Sequence, residues 1–109
     1  MKGKIVLVPF PFTDLTAAKL RPALVVYEGE KDAVVAFISS KIPSEPQEVD
    51  ILVKEDHPGF KRAGLKVDSV IKLNKIATVL KDLIVGELGE LDDNLRKEVN
   101  HKLKRIMEI

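Results

Sequence analysis

Short apolar runs, each ended by a turn signal, fill the first four-fifths of the chain. This punctuation limits the fold more than any other feature. Runs of that length, rich in Val and Ile, make strands rather than helices. They predict strands at residues 4–9, 22–27, 33–40, 48–53, 69–73, 78–81 and 84–88. Many short β-branched strands suit a small barrel or sandwich. The intervening stretch 54–66, which contains "DHPGFKRAG", is long enough for a functional loop. The last segment, "LDDNLRKEVNHKLKRIMEI", changes period. Leu95, Val99, Leu103 and Ile106 recur on one helical face, and Asp92 or Asp93 can cap the start. Lys102, Lys104 and Arg105 suit the negative end of the helix dipole. The expected architecture is mainly β, a small barrel with a C-terminal helix packed across it.

Composition sets the outer bounds. With 109 residues, 45% of them hydrophobic, the chain is expected to form a single domain spanning 1–109, and disorder is excluded. The absence of cysteine removes a disulfide scaffold and any thiolate metal site, and fits a reducing cytoplasm. The N-terminal "MKGKIVLVPF" has only four aliphatics in a row before proline. That is too short for a signal or membrane-spanning segment, so a soluble, cytoplasmic chain with no membrane partner is expected.

A net charge of +1 argues against a protein that coats nucleic acid indiscriminately. The distribution is more telling. Residues 42–53 carry three acids and no base, whereas 54–75 carry six bases against three acids. Such a patch can guide a phosphate backbone. A solvated surface with lysines at strand edges accounts for the same charges equally well.

The stretch "RPALVVYEGEKDAVVAFISS" predicts an antiparallel hairpin, two apolar runs about a polar turn. With residues 28–32 as the loop, Tyr27 faces Ala33, Val25 faces Val35, Ala23 faces Phe37 and Arg21 faces Ser39. Opposed Cβ atoms lie about 4.5–5.5 Å apart, so a guanidinium would sit beside a hydroxyl. Both faces of these strands are apolar, so alternation does not fix the register, and a one-residue slip would separate the two side chains. Pro22 holds Arg21 extended and is tolerated as the first residue of a strand. A guanidinium so restrained makes a pre-aimed phosphate fork. A structural ion pair with a carboxylate such as Asp14 is the competing use of Arg21.

Familiar catalytic apparatus is missing. The two histidines, His57 and His101, are far apart and have no metal-ligand spacing. There is no glycine-rich phosphate loop and no GxSxG elbow. One chemistry needs little equipment. RNA supplies its own nucleophile, the 2′-hydroxyl, and cleavage then requires in-line geometry and charge stabilisation at phosphorus.

At these residues the chain resembles the PemK/MazF family of toxins from toxin–antitoxin modules. The resemblance rests on "GKIVLVPFPFTDL", "KLRPALVV", "AFISSKI", "GLKVDSVIKLNKIATV" and "GELGELDD", in that order and over nearly the whole chain. It implies an SH3-like barrel, usually homodimeric, that cuts single-stranded RNA at short sequences without metal or other cofactor. It also implies cleavage through the 2′-hydroxyl to leave a cyclic phosphate and a 5′-hydroxyl. The implied protein partner is a cognate antitoxin whose tail orders on binding. The family's arginine falls on Arg21 and its threonine on Ser39, which become the expected catalytic pair. The resemblance further places Phe12, Thr13 and Lys19, from the segment 11–20, along the RNA with Ser40, Lys41 and Lys75.

The chain departs from the family pattern in three places. Lys4 replaces an acidic residue, Ser39 replaces threonine, and "KIAT" stands where "QIRT" is frequent, giving Lys75 and Ala77. The family's base specificity is therefore not carried over. A non-catalytic SH3-like binding module, or a toxin relative acting on a protein such as a topoisomerase, is the alternative reading. A structural assembly subunit is the third, supported only by the apolar faces and the helix.

Overall fold

A computed structural model describes residues 1–10 and 19–109. Its strands are β1 (Lys4–Phe10), β2 (Lys19–Glu28), β3 (Asp32–Ser39), β4 (Asp50–Val53), β5 (Ser69–Leu80) and β6 (Gly86–Glu90). Two helices, α1 (Phe60–Ala63) and α2 (Asp93–Met107), complete the element order, with a single 3₁₀ turn at Lys81–Leu83. The strands form one antiparallel sheet in the order β4-β5-β3-β2-β1-β6. The expected barrel with a packed C-terminal helix is realised as a curled half-barrel.

The curl comes from register shifts in three of the ladders, because an extra residue on one strand bends it and increases its twist. The shift between β3 and β5 is the largest. Ala36 pairs with Ile76 and Ile38 with Ile71, so β5 carries three more residues than β3 across that interval. The two short strands expected at 69–73 and 78–81 are therefore one bent strand. Asn74 and Lys75, which read as a break, are an exposed kink within it.

The hairpin register is right at its centre and wrong at its turn. Ala23 pairs with Phe37 and Val25 with Val35, but Tyr27 pairs with Val34 and Glu28 with Ala33. A bulge at Val26 and a tighter turn account for the difference. The Gly29 N–H donates to the Asp32 carbonyl at 2.8 Å, so residues 29–31 make the reversal. Pro22 is not the first residue of its strand. It lies inside β2, opposite Leu7 of β1, at a point where the β3 ladder has not yet begun. Its missing donor leaves no gap there.

Other boundaries shift modestly. The strand expected at 48–53 starts at Asp50, the one at 84–88 lies at Gly86–Glu90, and the long loop 54–66 contains α1. Asp92, not Asp93, caps α2, accepting from the Leu95 N–H at 2.8 Å.

Alternate side chains of the central strands feed two apolar clusters. Ile5, Leu24, Ala36 and Ile38 join Leu95 and Val99 of α2 in one; Leu103 and Ile106 pack on its margin. Val6, Val8, Ala23, Val25, Ala33 and Val35 form the other. Successive residues of a strand point to opposite faces, so β1, β2 and β3 are buried on both sides. That is why alternation could not fix their register.

Polar pairs tie the elements together. Lys4 reaches Glu87 and Glu90 at 3.4 and 3.5 Å, so the cation at this position is answered by two acids of β6. Arg62 and Arg96 also approach Glu90; the hydrogen bond from Arg62, and then the charge of Lys4, hold its carboxyl below the usual range. Glu28 accepts from Lys81 and from the N-terminal ammonium, both at 2.7 Å. The α1 segment crosses β6 at near-contact of the two backbones. Gly64 has φ +74°, and a Cβ there would lie 2.1 Å from the Leu88 carbonyl oxygen.

Two outcomes follow from these constraints. Gly64→Ala should destabilise the fold by at least about 1–3 kcal/mol, since strain and overlap act together. Gly86→Ala, where a Cβ meets nothing within 4 Å, should stay within about 0.5 kcal/mol in the same denaturant titration. The Glu28 carboxyl is lowered from 4.5 to about 2, first by Lys81 and then by the N-terminus. A lowered folded value contributes stability above the ordinary carboxyl value, and that contribution is lost as pH falls through the folded one. The stability gap between wild type and Glu28→Gln should therefore narrow as pH falls from 4.5 towards 2. A gap that stays constant over that range, measured by thermal melts, would remove the role of this pair.

Candidate nucleic-acid interface

Beyond the Ala23–Phe37 pair the β2–β3 ladder stops, although both strands continue. The first residues of β2 pair only with β1, and Val8 faces Arg21 there. The last residues of β3 keep only β5, their partner along the whole strand, and Ser39 pairs with Val70. The strand ends thus diverge and leave a concave mouth between them. Arg21 and Ser39 stand on its two sides, where counting back from the turn sets them opposite each other.

Two grooves open from this mouth and share Arg21, Ile38 and Ser39 as a common wall. The first encloses about 530 Å³ and is lined also by Phe10, Phe37, Ile76 and Ala77, with Lys41, Lys72 and Lys75 at its rim. The Phe10 and Phe37 rings lie 4.6 Å apart at a 45° tilt, giving the groove an aromatic floor. The kink in β5 brings Lys72 and Lys75 there. The second groove, about 470 Å³, runs past Lys19, Leu20, Ser40, Lys66, Val67 and Leu88. Among the described residues neither groove is lined by a carboxylate.

The electrostatics are uneven in a useful way. Lys72 is held at 3.3 Å by Asp50, whose residue is only 5% exposed and whose other oxygen accepts from the Gln47 N–H at 2.9 Å. The Asp50 carbonyl also accepts from Lys102 of α2 at 2.8 Å, so one buried acid links the groove rim to the C-terminal helix. Arg21, Lys19, Lys41, Lys66 and Lys75 take no part in any ion pair among the described residues. Such a concentration of positive charge raises the local density of an anionic ligand.

Ser39 is half-buried, and its Oγ accepts from the Lys41 N–H at 3.0 Å. This bond shapes the turn that leaves β3. The hydroxyl proton stays available to an outside acceptor, since a serine oxygen can accept and donate at once. His57 is engaged locally, its Nδ1 accepting from the Gly59 N–H at 2.9 Å. Among the described residues no group of three His, Cys, Asp or Glu side chains is placed to hold a metal ion, and no helix is long and apolar enough to cross a membrane.

Of the residues singled out in the sequence, Arg21 and Ser39 line both grooves, Lys41 and Lys75 the first, and Lys19 and Ser40 the second. Phe12, Thr13 and Asp14 lie outside the described residues. Phe10 and Phe37 were not anticipated, and Lys66 and Lys72 were read only as members of the basic stretch 54–75. Phe37 had a signal, because the hairpin count already set it two residues from Ser39. Lys72 had the basic stretch 54–75 as its signal, which does not say which of the six bases reach the groove.

The fold and the basic mouth define a class. Over 97% of both chains, the structure superposes on that of the Mycobacterium tuberculosis toxin MazF-mt6 with a TM-score of 0.75 and 14% identity. A mycobacterial endoribonuclease solved with its cognate antitoxin aligns over 100% of this chain and 95% of its own, with a TM-score of 0.73 and 16% identity. The MazE-MazF structure from Deinococcus radiodurans gives 0.73 and 17% identity over 98% and 94%. No curated protein matches the sequence. Residues 1–107 match the model of the PemK-like, MazF-like toxins of type II toxin–antitoxin systems, and the chain belongs to that family.

Ser39→Ala should cost about 0.5–1.5 kcal/mol in a denaturant titration, the net worth of one hydrogen bond, whereas Ser39→Thr, which keeps the oxygen, should cost less. Equal losses for the two variants would show that the Lys41 bond carries no stability.

Proposed function

We propose that the protein is a sequence-selective, metal-independent endoribonuclease that cleaves single-stranded RNA through its own 2′-hydroxyl. It serves as the growth-arresting member of a toxin–antitoxin pair. Family membership supports the biological role. The convergence of Arg21 and Ser39 on a mouth with no lining carboxylate among the described residues carries the chemical one.

In this reading the scissile phosphate sits between Arg21 and Ser39. The 2′-oxygen attacks the adjacent phosphorus, its proton passes to solvent, and the bond from phosphorus to the 5′-oxygen breaks. The departing oxygen takes up a proton, leaving a 2′,3′-cyclic phosphate and a 5′-hydroxyl. Negative charge grows on the non-bridging oxygens as the phosphorane forms. A guanidinium remains charged and offers paired donors, so Arg21 stabilises that charge by hydrogen bonds and the leaving oxygen draws its proton from water. The Ser39 hydroxyl orients the phosphate while its own oxygen stays tied to the Lys41 N–H. Lys19, Ser40, Lys41 and Lys75, with Phe12 and Thr13, bind the flanking RNA. The antitoxin acts by occupying the same mouth, and the working form is a homodimer in the cytoplasm.

A pure binding module would use the lysines around the grooves but would have no need for Arg21 in particular. Arg21→Ala should lower the cleavage rate by at least about 10²–10³, the usual cost of losing an oxyanion-type donor. It should melt as wild type does and should relieve growth arrest on expression without antitoxin. A folded Arg21→Ala protein that cuts RNA at near wild-type rate would overturn the assignment.

A further inference from the structure

Asp50, at the first position of β4, is the one charged side chain that is buried among the described residues. The cleavage chemistry makes no use of it. Its carboxylate lines neither groove, yet every polar atom of the residue is engaged. One oxygen meets Lys72 Nζ at 3.3 Å and the other accepts from the Gln47 N–H at 2.9 Å. The Asp50 N–H donates to the Gln47 carbonyl at 3.0 Å, and the Asp50 carbonyl accepts from Lys102 Nζ at 2.8 Å. The turn 47–50 so formed is fastened to β5 beside its kink, where the Leu73 N–H donates to the Val49 carbonyl at 2.9 Å. Asp50 pairs with Lys72 across the β4–β5 ladder, so the two side chains stand on the same side of the sheet.

That arrangement decides what Lys72 can do. It lines the first groove beside Lys41 and Lys75, which make no ion pair among the described residues, whereas Lys72 already has its counter-charge. Moving its ammonium onto a phosphate would strand a carboxylate that water hardly reaches, and a buried charge that loses its partner is strongly unfavourable. Towards a polyanion the pair is neutral. A phosphate beside a neutral pair keeps its own salt cations, and release of those cations supplies most non-specific affinity for nucleic acid.

We propose that Asp50 is a positioning residue that withholds Lys72 from RNA and so limits how many phosphates the first groove neutralises. The inference rests on the ribonuclease reading for its ligand and adds a restraint to it. Contacts to the phosphate backbone carry no sequence information. Binding that is equal in the ground and transition states lowers KM without raising kcat. A sequence-selective nuclease is served by keeping such binding small, because each further phosphate contact tightens all RNA alike. Lys72 acts instead as a strut that ties β5 at its kink to the turn 47–50 and, through the contact with Lys102, to α2.

The test measures binding of a single-stranded oligoribonucleotide, with hydrogen in place of the 2′-hydroxyl at the cut, from about 50 to 200 mM salt. For Asp50→Asn, whose amide oxygen can still accept from the Gln47 N–H, the slope of log K against log salt should steepen by about 0.7, the effect of one phosphate on a single strand. The double variant Asp50→Asn/Lys72→Gln exchanges a neutral ion pair for neutral amides, so its slope should equal that of the wild type. Should thermal melts show that Asp50→Asn does not fold, the double variant decides alone. A double variant about 0.7 shallower than wild type would place Lys72 on a phosphate already. That result, or an unchanged slope in folded Asp50→Asn, would overturn the proposal, since a purely structural Asp50 alters melting and not the slope. Cutting of the all-ribose strand by the wild type is followed in parallel. Normal cutting with either contrary slope removes the role of Asp50 and leaves the ribonuclease. Binding without cutting, with the expected slopes, removes the ribonuclease and keeps the restraint on Lys72. A wild type that neither binds nor cuts removes both.

Discussion

The end of pairing between β2 and β3 at Ala23–Phe37 governs the rest of the molecule. Up to that point the two strands are locked, with apolar side chains buried on both faces. A slip of one residue would exchange the contents of the two clusters. Beyond it the constraint is absent and each strand keeps only its outer neighbour, β1 for β2 and β5 for β3. The polar residues at their ends are thereby set apart by a mouth and not zipped into a ladder. A doubly buried strand pair that opens at one end sets Arg21 and Ser39 at its opening.

Charge is distributed in keeping with that division. The cations that fasten the scaffold each meet an acid: Lys4, Arg62 and Arg96 around Glu90, Lys81 on Glu28, Arg105 on Glu48. Among the described residues those at the mouth do not, except Lys72 on Asp50. Exposed pairs of the first kind contribute little stability each. Among the described residues their effect is to leave the unpaired positive charge concentrated at the mouth. A chain with a net charge of +1 can therefore present a strongly cationic groove, which its overall charge conceals.

Much of this was legible before any coordinates. The helix stripe of Leu95, Val99, Leu103 and Ile106 faces the core as its spacing required. The hairpin count was right for Ala23 and Val25, because burial on both faces rewards one register throughout the strand centre. It failed at Tyr27 because a bulge adds a residue without leaving a mark in an apolar run. The kink in β5 was missed for a related reason. Asn74 and Lys75 look like a turn between two strands, yet the ladder resumes on the far side with a shifted register. Lys72 and Lys66 were legible only as members of the basic stretch 54–75, since their place in the grooves depends on that kink and on the crossing of Gly64 over β6. Local pattern reveals elements; it does not reveal where three elements converge.

The ribonuclease account makes the substrate's 2′-hydroxyl indispensable, and this is where it is most directly exposed. A defined RNA with one cleavage site should be cut in EDTA to give a 2′,3′-cyclic phosphate and a 5′-hydroxyl. The same RNA carrying a single 2′-deoxynucleotide immediately 5′ to the cut should bind but remain intact. Cutting at that deoxynucleotide, or products bearing a 5′-phosphate, would contradict the account.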